Sequence, residues 1–129
     1  MFFWFPVKGK KVCHRFIEKS DCYLDQETGL EWSKDNYGPY TWDQLMSFDK
    51  GSIWRVPTIK ELLTLVDYEK YGPAASLPEI ELSNYWSSTP YADDTNYAWY
   101  TYFYDGYSYV SRKSNSHYVR AVRDERRTR

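Results

Sequence analysis

Few side chains in this 129-residue chain could do covalent or metal chemistry: Cys13 and Cys22, His14 and His117, the Ser87-Ser88 pair, and the loop oxygens of Asp93, Asp94 and Asn96. A structural zinc ion needs four nitrogen or sulfur ligands, and two cysteines with two histidines spread from Cys13 to His117 give it little to work with. The cysteines sit in what reads as one hairpin, where pairing Ile17 with Cys22 would place Cys13 opposite Gln26. They would not be cross-strand neighbours, so two reduced, structural thiols are expected rather than a disulfide. Ser87 and Ser88 fall in "YWSST", which alternates like a strand. His117 flanks the last strand with no triad pattern around it, and no glycine-rich phosphate loop exists. Asp93, Asp94 and Asn96 offer the oxygens a hard cation takes, but they read as a solvated acidic loop. Arg55, between Trp54 and Pro57 at a helix entrance, reads as an ion-pair or stacking residue. No catalytic residue, metal or cofactor is expected, and the chain does not read as an enzyme.

The residues that do stand out are rings. "NYAWYTYFYDGYSY" (96–109) holds six tyrosines in fourteen positions. Asp105-Gly106 between two alternating aromatic runs signals a hairpin, because a two-residue type I′ turn needs positive φ at both positions. That turn would set Tyr104 opposite Tyr107, Tyr102 opposite Tyr109 and Tyr100 opposite Ser111. Directly paired residues point to one side, so Tyr100, Tyr102, Tyr104, Tyr107 and Tyr109 would share a face. Trp99, Phe103 and Val110 would share the other. Only one face of a half-buried sheet can be core, and the second has no phenol oxygens to satisfy. The five tyrosines are therefore expected outside, in a patch at or above the ~300–600 Å² of a typical monomer's largest. Tyrosine suits contact surfaces because it offers area, few rotors and a hydroxyl. Asn96, Ser111 and Asn115, in and beside the neighbouring loops, complete the expected binding set. Trp99→Ala, on the inner face, would then cost about 3–5 kcal/mol.

These elements need a frame. Net charge is −1, from 17 basic and 18 acidic side chains, so no overall field points to nucleic acid or an anionic membrane. Aromatics make up 20% at a mean hydropathy of −0.77, so rings must supply much of the core. The length fits one domain. "MFFWFPV" is too short for a signal core and reads as an edge strand or N-terminal extension over 1–14. No run approaches the ~20 apolar residues of a membrane span. "TWDQLMSF" carries a capping box at Thr41 and Gln44, with Trp42, Leu45 and Met46 on one face. "PTIKELLTLVDYEK" carries another at Thr58 and Glu61, with Ile59, Leu62, Leu63 and Val66 as the buried stripe. Trp32, Trp54 and Trp86 read as core. After Pro78 the chain reads as strands over "NYWSSTPY", "YAWYTYFY", "YSYVSR" and "HYVRAVRD". Residues 124–129 form a charged tail. The order is strands, two helices, then antiparallel strands, an α+β class.

Six blocks occur in order: "RFIEKSDCYLDQETGLEWSK" (15–34), "TWDQLMSF" (41–48), "WRVPTIKELLTLVD" (54–67), "YWSSTPY" (85–91), "AWYTYFYDG" (98–106) and "YVRAVR" (118–123). Together they resemble the bacterial and phage DUF1566 family, the Lcl C-terminal domain, across 15–123. The resemblance implies a C-type-lectin-like fold, similar in shape to formylglycine-generating-enzyme domains and retroelement variable proteins. In that fold N- and C-terminal strands pair, two helices flank them, and a second antiparallel sheet carries the ligand face. It also implies an adhesion or ligand-binding role. The calcium-sugar signatures of true C-type lectins are absent, and so is the reactive cysteine pair a formylglycine-type oxidase needs at its binding face.

The expected function is a non-catalytic recognition module whose hairpin tyrosines bind a protein, another copy of the chain included. Two alternatives stand beside it: a small phage-encoded inhibitor of a host complex, and a carbohydrate or glycosaminoglycan adhesion domain. The expected location is the host cytoplasm or the virion, or outside the cell if a leader has been removed.

Overall fold

Two capping boxes fix where the helices begin. The computed structural model describes residues 14–48 and 53–125, so the expected N-terminal strand, Cys13 and most of the charged tail lie outside the described residues. Helix α1, Trp42–Phe48, follows Thr41, whose N–H donates to Gln44 Oε1 at 2.8 Å while the Gln44 N–H returns to Thr41 Oγ1. Helix α2, Ile59–Leu63, has the same reciprocal pair between Thr58 and Glu61. Each box satisfies two N–H groups the helix itself cannot. Leu45 and Leu62 are fully buried as expected. Met46 and Leu63 are exposed instead, and Leu65 is fully buried. The physical reason at Leu65 is that α2 stops at Leu63. Leu65 N–H then bonds to Leu62 O and its carbonyl accepts from Ser76 N, so helical periodicity no longer sets which side faces in.

Among the described residues seven strands form one mixed sheet: β1 (Phe16–Glu18), β2 (Cys22–Asp25), β3 (Leu30–Tyr40), β4 (Asn84–Pro90), β5 (Tyr97–Tyr102), β6 (Tyr107–Arg112) and β7 (His117–Asp124), in the order β1-β2-β3-β7-β4-β5-β6. With two short helices, this is a mostly-sheet α+β fold. Every pairing is antiparallel except β4 with β7, which meet in parallel at Tyr85 and Tyr118. The last strand pairs with β3, and the first described strand lies at the sheet edge. Among the described residues no helix is long and apolar enough to cross a membrane.

The first hairpin has a different register from the expected one. Ile17 pairs with Leu24, and Cys22 pairs across the next ladder with Ser33. The turn is shorter than expected because Lys19 N–H bonds to the Cys22 carbonyl. Burial, then the carboxylates of Glu31 and Asp21, push the Cys22 thiol up to about 11. It is a protonated, unreactive core group at neutral pH. Arg15 clamps this hairpin to the helical segment: it donates to both carboxylate oxygens of buried Asp25, at 2.9 and 2.8 Å, and to Thr64 O at 2.7 Å. Arg55 is an ion-pair residue, reaching both oxygens of Glu61 at 2.8 Å.

Among the described residues the core falls into two clusters. Trp32, Leu62, Leu65, Leu77, Tyr85, Phe103 and Val122 make the larger. Leu45, Val56, Trp86, Ala98 and Val119 make the smaller, beneath α1. Trp32 and Trp86 are buried as expected, whereas Trp54 is half-buried under the Arg123 guanidinium, 3.9 Å from its ring centroid. Trp99, the expected inner-face anchor, is also only half-buried and meets Tyr91 edge-on at 5.7 Å. Phe103 is fully buried and packs edge-on against Tyr85 at 5.6 Å. The costs therefore reorder. Trp99→Ala is expected to lose about 1–2 kcal/mol, and Phe103→Ala about 3–5 kcal/mol. Urea midpoints at constant slope measure both, and the opposite order would overturn this assignment of the core.

Candidate functional site

Strands β5 and β6 pair with Tyr100 opposite Tyr109 and Tyr102 opposite Tyr107. This is a two-residue shift from the expected ladder, and the turn spans Phe103–Gly106 instead of Asp105-Gly106 alone. The cause lies outside the hairpin. Phe103 enters the core, and the backbone of 103–104 bonds to other segments: Phe103 N to Ser83 O, Ala74 N to Phe103 O and Gly72 N to Tyr104 O. Those groups are not free to continue the ladder. Gly106 closes the turn at φ +80°, with Val66 Cγ1 2.9 Å from where a Cβ would sit, so no side chain fits there. A one-residue slip would have flipped every ring, but a slip of two keeps each on its side. The shared tyrosine face therefore survives for Tyr100, Tyr102, Tyr107 and Tyr109.

That face is not uniformly outward. Trp86 on β4 lies opposite Tyr100, and Ala98 lies on the same side; both are buried beneath α1. The expectation of one core face and one open face fails because α1 covers one end of the tyrosine side. At the other end Tyr107 and Tyr109 are 55% and 42% exposed. Between them lies an open groove of about 600 Å³, lined by Tyr100, Tyr102 and Tyr109 from the hairpin, Asp105 from its turn, Leu82, Ser83 and Asn84 before and in β4, and Ser116, His117 and Tyr118 at the start of β7.

His117 forms part of this wall rather than an exposed strand end. Its ring stacks on Tyr100 at 4.7 Å and 17°, and meets Trp86 edge-on at 4.7 Å. Nε2 lies 2.9 Å from Ser111 Oγ, which also accepts from Asn115 Nδ2 at 3.0 Å. Burial holds the imidazole below its usual value, so it is neutral at pH 7. Tyr100 is pushed up by burial and by Asp105, and Tyr109 by desolvation and its hydrogen bond to Asp105. Both phenols keep their protons. Asp105 Oδ2 accepts from Tyr109 Oη at 3.1 Å, and Oδ1 from the Tyr107 N–H at 2.9 Å.

The sequence profile of the Lcl C-terminal domain matches residues 21–123. The chain belongs to that family. Neither a curated protein nor a solved structure matches it.

This Lcl C-terminal domain gathers some of the expected site residues and separates others. Tyr100, Tyr102 and Tyr109 line the groove. Tyr104 sits in the turn, with its ring edge-on to Tyr71 and its hydroxyl bonded to that of Tyr71. Tyr107 lies beside Tyr68, ring centroids 5.8 Å apart. Ser111 is 8% exposed and holds His117, so it supports the surface from below. Asn115 is exposed in the β6–β7 turn and ties back to Ser111. Asn96 lies apart, in a hollow of about 320 Å³ with Asp43, Arg112, Lys113 and Ser114. The Asp94 carboxylate is used by its own turn, accepting the Asn96 N–H at 3.0 Å. Ser87 is buried, donating to Trp99 O at 2.7 Å and accepting the Thr89 N–H.

Several contributors were missed. Tyr68 and Tyr71, 65% and 75% exposed, extend the ring surface off the sheet; their "YEKY" spacing gave no hint of the hairpin they meet. Asn84 and Asp105 read as a strand start and a turn former. Asp105 next to a tyrosine run was the one legible signal, a fixed carboxylate among rings.

Proposed function

We propose that this domain is a non-catalytic recognition module that engages a protein partner through the tyrosine face and its groove, on a C-type-lectin-like scaffold. The observation that carries the reading is the surface itself. Tyr107, Tyr109, Tyr68 and Tyr71 are exposed, and Tyr109 borders a groove walled by Tyr100, Tyr102 and the neutral His117. Large rigid rings with hydroxyl donors are what dominate protein interfaces. The scaffold reading is supported by the family membership and by the trio β4-β5-β6 carrying the surface. A sulfated glycan fits less well, since no lysine or arginine lines the groove among the described residues.

The test is capture from host lysate with the wild type beside Tyr102→Ala/Tyr109→Ala. The double variant is expected to lose a specifically retained protein by at least about tenfold in affinity, with its melting temperature near that of the wild type. Equal retention by a folded double variant sinks the reading. A wild-type oligomer that the variant dissociates, seen by light scattering, would make the partner another copy of this chain.

A further inference from the structure

We propose that the groove recognises a cationic side chain, an arginine of the partner protein, with Asp105 as its counter-charge and the exposed ring of Tyr109 as its stacking surface. This inference rests on the recognition reading above and names what that site selects. Asp105 is half-buried at the groove wall. Its oxygens each accept one hydrogen bond from the hairpin, Oδ1 from the Tyr107 N–H and Oδ2 from the Tyr109 hydroxyl. Each oxygen keeps a second lone pair. Among the described residues no lysine or arginine lines the groove, and no ion pair involves Asp105.

Charge complementarity then decides the occupant. A partner seated over the tyrosines would strip water from a fixed carboxylate, and a buried unpaired charge is strongly unfavourable. An apolar or anionic partner leaves that cost standing, and a cation removes it. Arginine fits better than lysine. Its planar fork takes two oxygens at once and its face lies on aromatic rings, and both features are present side by side. His117 adds no competing charge because burial keeps it neutral at pH 7.

The experiment is a titration of the isotope-labelled full chain, followed by amide NMR, with three probes: N-acetylarginine methylamide, its neutral citrulline counterpart, and methyl glucoside. The arginine probe is expected to shift the resonances of Asn84, Tyr100, Asp105 and Tyr109 at millimolar concentration. Citrulline is expected to bind at least tenfold more weakly, and Asp105→Asn to erase the difference. Equal binding of citrulline, or arginine binding untouched by Asp105→Asn, overturns the proposal while leaving the groove a binding surface. Glucoside shifting these resonances in place of arginine overturns it in favour of a sugar. Shifts confined to another face, or none from any probe, also overturn it. The tyrosine-face reading would still stand if the lysate capture is lost with Tyr102→Ala/Tyr109→Ala, so the two failures are distinguishable.

Discussion

Trp86→Ala is expected to destabilise the protein by about 3–5 kcal/mol and to abolish partner capture in the same stroke. Trp86 is fully buried, and its ring is touched edge-on by both Tyr100 and His117. Its indole N–H donates to Tyr40 O at 2.8 Å, joining β4 to the end of β3 just before α1. Truncation leaves a ring-sized cavity and an unpaired carbonyl, and it removes the floor that holds Tyr100 and His117 upright. Trp86→Phe separates the two effects. It keeps most of the volume, so the fold should survive with a smaller loss of stability, while the shorter ring and absent N–H loosen the groove. Thermal unfolding and capture on both variants check this. A Trp86→Phe protein that is stable and still binds at full strength would show that the groove does not depend on its floor.

The second large effect lies far from the groove, in the buried carboxylate of Glu31. Glu31 is 1% exposed, and its oxygens accept from Arg123 Nε at 2.7 Å and Lys19 Nζ at 2.8 Å. Arg123 is itself buried, also reaches Asp21, and has no hydrogen-bond partner for Nη1. Glu31→Gln keeps the volume and removes the charge, so Arg123 remains buried against a neutral amide. Removing one partner of such a pair costs about 3–5 kcal/mol. Replacing both, as Glu31→Leu/Arg123→Met, should cost less than Glu31→Gln alone, because the charges then left without a partner, Lys19 and Asp21, reach water and no buried one remains. The reverse order in urea melts would show that the pair is worth more than its desolvation.

The same pair sets a pH dependence. Burial pushes the Glu31 carboxyl up, but Lys19 and Arg123 outweigh it and hold the group below its ordinary value. A carboxyl depressed in the folded state contributes stability that is full above its unfolded value of about 4.3. That contribution fades as pH falls from there through the depressed folded value. Glu31→Gln should therefore flatten the acid limb of the wild-type stability curve.

How much of this was legible depends on which interactions are local. The boxes Thr41/Gln44 and Thr58/Glu61 were readable because both partners lie within one helical turn. So were the bounds of β6 and β7, where alternation ends at turn residues. The tyrosines' common side was readable too, since parity along a strand is a property of the backbone and a two-residue slip preserves it. The family was readable in blocks from Arg15 to Arg123, and the matching profile covers 21–123.

The register itself was not legible, because Phe103 is drawn out of the hairpin by a core built from Tyr85, Leu62 and Leu65, residues 18 to 41 positions upstream. Nor was the half-burial of Trp99 legible, or the burial of one end of the tyrosine face. The second follows from α1 packing on Trp86 and Ala98, and no periodicity in β5 records where a helix far earlier in the chain will lie. Asp105 shows the division most clearly. Its position after a tyrosine run and before glycine made it a turn former from sequence alone. The hairpin sets its carboxylate on the Tyr109 hydroxyl, and only the tertiary structure brought it into one groove with Asn84 of β4 and His117 of β7, which meet in parallel. The sequence alone determined the helix caps, the strands after Pro78 and the ring chemistry of the surface, since these depend on neighbours along the chain; the long β3 (Leu30–Tyr40) was not read from it. Where that surface opens, and what charge it presents, was decided by contacts between segments distant in sequence.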